Sequence, residues 1–536
     1  MPPIRSAPYA SCKYRTVRWR VPPTPFETAY RNRALTSLFA LEPGDVQTAL
    51  AQPRPVDRIR LAEVLRGQAE RLGAPAAVFD SLEKLMHPES RVVVTGQQTG
   101  LLLGPLYTLS KAVSALKLAA MLSTDDKPVV PVFWLATQDA DSAEIDHTYL
   151  LDLSETLHRL SLPLPGGVPA GRIGLEGAWV DKIVRDLAAF RGPEVHRLEI
   201  ADVLRRTAAR AESFSDWFGA LLYELLGEQG LIVFDPLEPA AAEHFAPILR
   251  AELGDPLRSG GAVNAAADTL RDLGYTPQLG RAADATNLFL TTDQRRLLRF
   301  DGQTFYTDIA RYSGEDLLAR LDADPASVTP AAGLRPITQD AALPTVATVV
   351  GPGELRYIAQ LKGVYEQHGV ATPLIWPRTT VTILEPPVAR ILDKFGLGAG
   401  ALQGDWEGLK AEALLRLHGH KLAFDNRLRA LQNLSNSLRA DVAAIDPTLS
   451  RTVSRAGDEL EVIFRRLEAK SAAALADRDD TYTRQFGRLR AHLLPTGIPQ
   501  ERLISPFSFF LKFGVKAVMD ALLTLPAEGE HELRIR

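Results

Sequence analysis

The sequence predicts an α/β fold, a doubly wound parallel sheet with insertions, followed by an α-helical antiparallel coiled-coil arm. Two observations carry this. Strand, glycine turn, helix and strand patterns recur along the first 400 residues, and after residue 401 the strands give way to heptad-spaced apolar positions.

The first hundred residues read as helices with proline-rich joints; RPVDRIRLAEVLRGQAERLG has strong helix formers and a glycine stop. In VVVTGQQTGLLLGPLYTLSKAVSALKLAAML, residues 92–122, a β-branched strand breaks into a glycine-punctuated loop over 96–104 and enters a helix from Pro105 to Leu122. KPVVPVFWLA supplies the next strand, completing a βαβ unit that requires parallel pairing. SFSDWFGALLYELLGEQG followed by LIVFDP repeats helix and strand, and TVATVVGPGELRYIAQLKGVYEQHGVATPLIWPR repeats the whole unit. The stretch 280–307, containing NLFLTTDQRRLLRFDGQTFY, reads as a β-hairpin or small inserted sheet. Phe424, Leu428, Leu431, Leu438, Val442 and Ile445 follow heptad spacing, with Ser435 at the missing seam position. Asp446-Pro447 caps a second helix, in which Leu449, Val453, Ala456, Leu460, Ile463 and Leu467 resume the pattern. The organisation expected is a core over 1–400, a helical arm over 401–495 and a C-terminal segment, 496–536, returning to the core.

Composition narrows the function classes. Of 536 residues, 46% are hydrophobic and 24% charged, with net charge −4 and a pI near 6.3. That balance gives no electrostatic reason for nucleic acid or an anionic membrane as partner. A lone cysteine, Cys12, excludes an intramolecular disulfide and a cysteine-rich metal site. No apolar run reaches the ~18 residues of a membrane span, and the N-terminus lacks the apolar core of a signal peptide. A cytoplasmic protein without a dedicated metal site is expected.

Three stretches carry candidate chemistry. A strand ending in glycines and running into a helix makes an anion site where backbone N–H groups and the helix dipole converge. Here Gly96, Gly100 and Gly104 space the loop, Thr95, Gln97, Thr99, Tyr107 and Thr108 add polar side chains, and Lys111 follows one turn along. Neither the dinucleotide fingerprint nor the P-loop spacing is present, so a purely structural turn is the competing reading. In the second turn Gly351 and Gly353 bend the chain. Glu354 then opens a helix, either as a dipole partner or as a ligand for an ammonium group; Tyr357 and Gln360 follow. FWLATQDADSAEIDH crowds Asp139, Asp141 and His147 at the carboxyl end of a parallel strand, where ligands of α/β sheets bind. These groups suit an amine, a base or Mg²⁺, against a plain reading as a solvated helix start. Arg378, in WPR, suits a carboxylate. Asn287 is a weaker candidate, read as structural.

Taken together, VVVTGQQTGLLLGPLYTLSKAVSALKLA, PVFWLATQDADSAEIDH, LRPITQDAALPTVATVVGPGELRYIAQLKGVYE and SPFSFFLKFG resemble the cysteine-adding enzymes of bacillithiol biosynthesis, the BshC family. The resemblance spans about residue 90 to 515. It implies a Rossmann-like core with connecting-peptide insertions and a coiled coil that pairs two subunits. It also implies joining of L-cysteine to glucosaminyl-malate, with ATP as cosubstrate and Mg²⁺ as a candidate companion ion. In that reading the 96–111 stretch and Gly351, Gly353, Glu354, Tyr357, Gln360 and Arg378 bind substrate or nucleotide, while Asp139, Asp141 and His147 orient an amine or act as base. The core also resembles class I aminoacyl-tRNA synthetases, yet TGLLLGPLYT lacks their His-x-Gly-His loop. Ala140 replaces an acidic-run histidine of the family, so no role of that histidine transfers here. A ligase for another amine acceptor, or a nucleotide-binding scaffold acting through its coiled coil, is the alternative.

Overall fold

The computed structural model describes residues 15–18, 24–476 and 480–535, so Cys12 lies outside the described residues. The chain divides into two compact units, residues 1–381 with 501–533, and residues 382–500 with 534–536.

The first unit is organised by a five-stranded parallel sheet in the spatial order Leu374–Pro377, Thr345–Val350, Arg91–Gln97, Val129–Leu135, Ile232–Phe234. From the first strand the chain builds outward on one side through two more, then crosses back to place the fourth and fifth on the other. That order is doubly wound, and its topological switch point lies between Arg91–Gln97 and Thr345–Val350. Val92, Val93 and Val94 are fully buried, as is every residue of Val129–Leu135. Near-continuous apolar runs are what a sheet covered on both faces demands. Helix Tyr107–Leu122 packs on the first two strands, and Arg58–Leu72, capped by Asp57 and stopped by Gly73, packs on Ile232–Phe234.

Of the two forms expected for the inserted segment, a β-hairpin or a small sheet, it takes the sheet. Ala285–Thr291 pairs with both Arg295–Phe300 and Val328–Pro330, and two short strands, Phe305–Tyr306 and Arg311–Tyr312, complete an antiparallel five-stranded sheet. The edge strands, of two or three residues, are too short to show periodicity.

In the second unit, Val388, Leu392, Phe395, Tyr482, Phe486 and Leu489 form the centre of an apolar core. From it, Lys421–Ile445 and Ser450–Ala476 run antiparallel, joined where Asp446 Oδ1 accepts the Thr448 N–H at 2.9 Å. Twenty-five residues make the first helix about 37 Å long. Phe424 meets Phe464 at 5.8 Å between ring centroids, and Lys421 pairs with Glu468 at 2.6 Å. The register corrects one detail of the predicted seam. Leu438 and Ile445 of the first helix, and Leu449, Leu460, Ile463 and Leu467 after it, are exposed. Heptad spacing locates an apolar stripe without specifying which neighbour covers it.

Candidate functional site

A cavity of about 530 Å³ opens at the switch point, beyond the carboxyl ends of Arg91–Gln97 and Thr345–Val350. Lys111, one turn into its helix, is buried and donates to Gly96 O and Gln97 Oε1, both at 2.9 Å, and lies 2.6 Å from Glu354 Oε2. The same Glu354 oxygen accepts the Gly351 N–H at 2.8 Å. Burial pushes the Lys111 ammonium below the ordinary lysine value, and Glu354 pulls it partway back. One carboxylate thus ties the two glycine turns together across the sheet.

Around this pair the walls are cationic. Arg295 reaches Asp139 at 3.0 Å, donates to Pro330 O at 2.8 Å, and lies 4.0 Å over the Phe289 ring. Arg335 donates to Gln339 Oε1 at 3.0 Å and to the Tyr357 hydroxyl at 2.9 Å. Arg378 forms a two-pronged ion pair with Glu501, at 2.5 and 3.0 Å, with its guanidinium 5.7 Å from the Tyr107 ring centre. Burial works against the Arg378 charge, but Glu501 prevails and raises its pKa. Burial also raises the pKa of both Tyr107 and Tyr357, so both are protonated phenols at neutral pH. Arg281 and Arg502 complete the cationic lining.

The charge balance decides what the cavity accepts. Lys111, Arg295 and Arg378 are each offset by a carboxylate, whereas Arg281, Arg335 and Arg502 have no ion-pair partner among the described residues. Three cations without an ion-pair partner at the rim of a sheet, with Glu354 and Asp139 acting on Arg335 only from a distance, have the chemistry that suits a multiply charged anion.

The residues singled out from sequence separate cleanly. Gly96, Gln97, Tyr107, Lys111, Asp139, Gly351, Gly353, Glu354, Tyr357 and Arg378 line the cavity. The rest of the first turn is packing rather than a phosphate cradle. Thr95 donates to Val349 O at 3.0 Å, Thr99 bonds Ser215 at 2.8 Å, and Thr108 is fully buried; none of the three lines the cavity. Gly100 and Gly104 face each other, with Gly104 at φ +61°, and Leu101–Leu103 between them are buried. Gly96 is required by the sheet, since a Cβ there would lie 2.8 Å from Trp134 O. Asp141 caps the short helix Ser142–Ile145 through the Ala143 N–H at 3.2 Å, and His147 bonds Asp146 at 2.7 Å; neither lines the cavity. Gln360 is a wall brace. Its Oε1 accepts the N–H groups of Gln278 and Leu279, both at 2.9 Å. Asn287 is buried, does not line the cavity, and accepts from the cavity residue Arg281 at 2.7 Å. Sequence reasoning passed over Arg281, Arg295, Arg335 and Arg502, single cations on separate segments with no shared spacing.

Asp235, at the end of Ile232–Phe234, is a second titratable group near the sheet edge. It accepts from the Thr137 hydroxyl and, at 2.9 Å, from the Leu237 N–H, yet its burial dominates and raises its pKa to about 6. Below the ordinary carboxylate value both states are protonated and Asp235 contributes nothing. Between there and about 6 only the unfolded chain is ionised, so stability falls as pH rises; above about 6 the full cost, about 2–3 kcal/mol, is present. Asp235→Asn is therefore expected to stabilise the protein at pH 7.5 and to flatten that slope between pH 4 and 6, measured by urea unfolding.

Comparison with known proteins agrees with this architecture. Residues 26–379 match the family model for bacillithiol biosynthesis BshC, N-terminal Rossmann-like domain, and residues 381–535 match that for the BshC C-terminal coiled-coil domain. The chain is similar to proteins named "Putative cysteine ligase BshC". It is 41% identical to one from Thermus thermophilus over 478 residues, covering 88% of this chain and 93% of the relative. With that of Salinibacter ruber the identity is 33% over 500 residues, 90% of each chain. With that of Geobacillus thermodenitrificans it is 30% over 505 residues, 90% of this chain and 91% of the relative.

Proposed function

The chain belongs to the BshC family of bacillithiol biosynthesis, and from that premise we propose that it is an amide-forming ligase joining L-cysteine to the amine of glucosaminyl-malate in the switch-point cavity, with ATP activating the cysteine carboxylate. The observation that carries the site assignment is the trio of cations without an ion-pair partner among the described residues, Arg281, Arg335 and Arg502, on a cavity sized for a small molecule. Malate brings two carboxylates and a nucleotide brings phosphates, and guanidinium forks match both. Protonated Tyr107 and Tyr357 add hydroxyl donors beside them.

Amide formation from a free carboxylate in water is uphill, so a carboxylate oxygen first attacks the α- or γ-phosphorus of ATP, breaking a P–O bond and displacing pyrophosphate or ADP, to give an acyl-adenylate or acyl-phosphate. The sugar amine then attacks the acyl carbon; the new C–N bond forms, the C–O bond to phosphate breaks, and AMP or inorganic phosphate leaves with its electron pair. The amine loses a proton, for which Asp139, held by Arg295, is the cavity carboxylate placed to serve. Among the described residues no group of three His, Cys, Asp or Glu side chains could hold a metal ion, and both cavity carboxylates are engaged by cations. The residues therefore do not fit a resident metal. Mg²⁺ enters this proposal only as the nucleotide's counter-ion, with no step routed through it.

The test is incubation of the purified protein with glucosaminyl-malate, L-cysteine and Mg-ATP, following products by mass spectrometry. Bacillithiol with equimolar AMP supports the ligase and an adenylate, and ADP supports an acyl-phosphate. Bound ATP with no bacillithiol would overturn the ligase in favour of a nucleotide-binding scaffold.

The proposal extends to a homodimer through the coiled coil. Exposed Leu438, Leu449, Leu460, Ile463 and Leu467 place apolar side chains along the hairpin, a surface of the kind that protein partners cover. Leu460→Asp combined with Ile463→Asp is expected to halve the sedimenting mass in analytical ultracentrifugation. No helix described is long and apolar enough to cross a membrane.

A further inference from the structure

We propose that Asn287 is a positioning residue for the cavity cation Arg281, its amide oriented by a buried relay through Ser259, Glu252 and His368 that delivers Arg281 to the ligand with its charge uncancelled. This rests on the assignment of the cavity as a receptor for anionic substrates.

The relay is continuous. Arg281 Nε donates to Asn287 Oδ1 at 2.7 Å, and Asn287 Nδ2 donates to Ser259 Oγ at 2.7 Å. The Ser259 hydroxyl donates to Glu252 Oε1, and Glu252 Oε2 meets His368 Nε2 at 3.2 Å. Asn287, Ser259 and Glu252 are all at most 2% exposed. Beside it, Asn264 clamps the Arg281 backbone, accepting its N–H at 3.0 Å and donating to its carbonyl at 2.9 Å.

Hydrogen-bond chemistry gives this relay a direction. The Ser259 hydroxyl carries a single proton, and it points at Glu252 Oε1. The Ser259 oxygen is then left to accept, and the amide group that can donate to it is Asn287 Nδ2. With the nitrogen committed there, Oδ1 must face Arg281. A flipped amide would set N–H groups against a guanidinium and leave a buried acceptor opposite a carboxylate-bound hydroxyl. Gly333 leaves room for this amide, since a Cβ there would lie 2.7 Å from Asn287 Oδ1.

The choice of a neutral acceptor is what gives the relay its function. A carboxylate at 287 would hold Arg281 equally well but neutralise it, as Asp139 does for Arg295 and Glu501 for Arg378. Glu252, which lies two hydrogen bonds beyond Asn287, satisfies Ser259 instead of Arg281. Burial lowers the Arg281 pKa from its ordinary value, with Glu252 acting against that from a distance, and the guanidinium stays charged. Arg281 therefore meets the cavity as a fixed, oriented cation for a carboxylate or phosphate oxygen.

A double-mutant cycle read by calorimetry tests this without requiring turnover. L-malate and, separately, ATP are titrated into the wild type, Asn287→Leu, Arg281→Ala and the double variant. The expectation is that Asn287→Leu weakens one ligand about five- to tenfold, Arg281→Ala weakens the same ligand at least as much, and the double variant matches Arg281→Ala. A malate effect identifies a carboxylate partner, and an ATP effect a phosphate. Ser259→Ala, a smaller change, is expected to shift the same ligand in the same direction. The proposal is overturned if Asn287→Leu binds both ligands as the wild type does, or if the two single losses add in the double variant, as general structural damage would. A wild type that binds neither ligand overturns it too. Intact binding and an intact cycle in a protein that forms no bacillithiol would instead defeat the ligase reading and leave the relay standing.

Discussion

Arg335→Leu is expected to lower kcat/KM by about 10²–10³-fold, or roughly 3–4 kcal/mol of transition-state stabilisation, with little change in stability. The asymmetry follows from its partners. Arg335 donates only to the neutral Gln339 amide and Tyr357 hydroxyl, so its removal strands no carboxylate, and both partners face a cavity that admits water. What is lost is a planar cation aimed at the ligand. Arg335→Lys keeps the charge without the fork and is expected to recover only part of the activity. Steady-state kinetics beside urea unfolding measures both halves of this prediction; equal losses in activity and stability would assign Arg335 to the fold instead.

Arg378→Met is expected to do the reverse and destabilise the α/β unit by about 3–5 kcal/mol. The Arg378 side chain is 4% exposed and that of its partner Glu501 12%, and Glu501 also accepts the Val381 N–H at 3.1 Å. Removing the cation leaves a carboxylate in place with too little water to solvate it. Glu501→Gln strands the cation instead and is expected to cost a comparable amount. Pairing Arg378→Met with Glu501→Leu removes both charges and is expected to restore much of the loss in urea unfolding. Arg378 thus supports the cavity wall: Glu501 and Thr379 O engage its two terminal nitrogens, and its Nε stays without a hydrogen-bond partner among the described residues.

The sheet was legible in sequence because its strands carry their own signal. Val92–Val94 and Val129–Leu135 are uninterrupted apolar runs, bounded by glycines or proline, with a long helix between. The same reasoning placed Gly96, Lys111, Gly351, Glu354 and Asp139 near one another, because all follow the carboxyl ends of parallel strands. It could not separate Thr99 and Gly104, which hold a buried turn, from Gln97 and Tyr107, which face the cavity. A turn's composition does not encode which way each side chain leaves it. The density of acids around Asp141 and His147 drew attention locally, but a helix cap and an adjacent ion pair account for both. The missed cations show the opposite failure. Arg281, Arg295 and Arg335 converge only when residues of the inserted segment and of the parallel sheet meet around one cavity, a long-range event that no local pattern records. In the arm, heptads found both helices, but the seam was set by Phe424 against Phe464.

The central claim is that the switch-point cavity is where the anionic substrate binds. Calorimetric titration of glucosaminyl-malate into the wild-type and Arg335→Leu proteins tests it directly. One site per chain is expected in the wild type, with at least a hundredfold weaker binding in the variant, about 3 kcal/mol. Equal affinity in both proteins, with the variant folded, would place the substrate elsewhere and contradict the account.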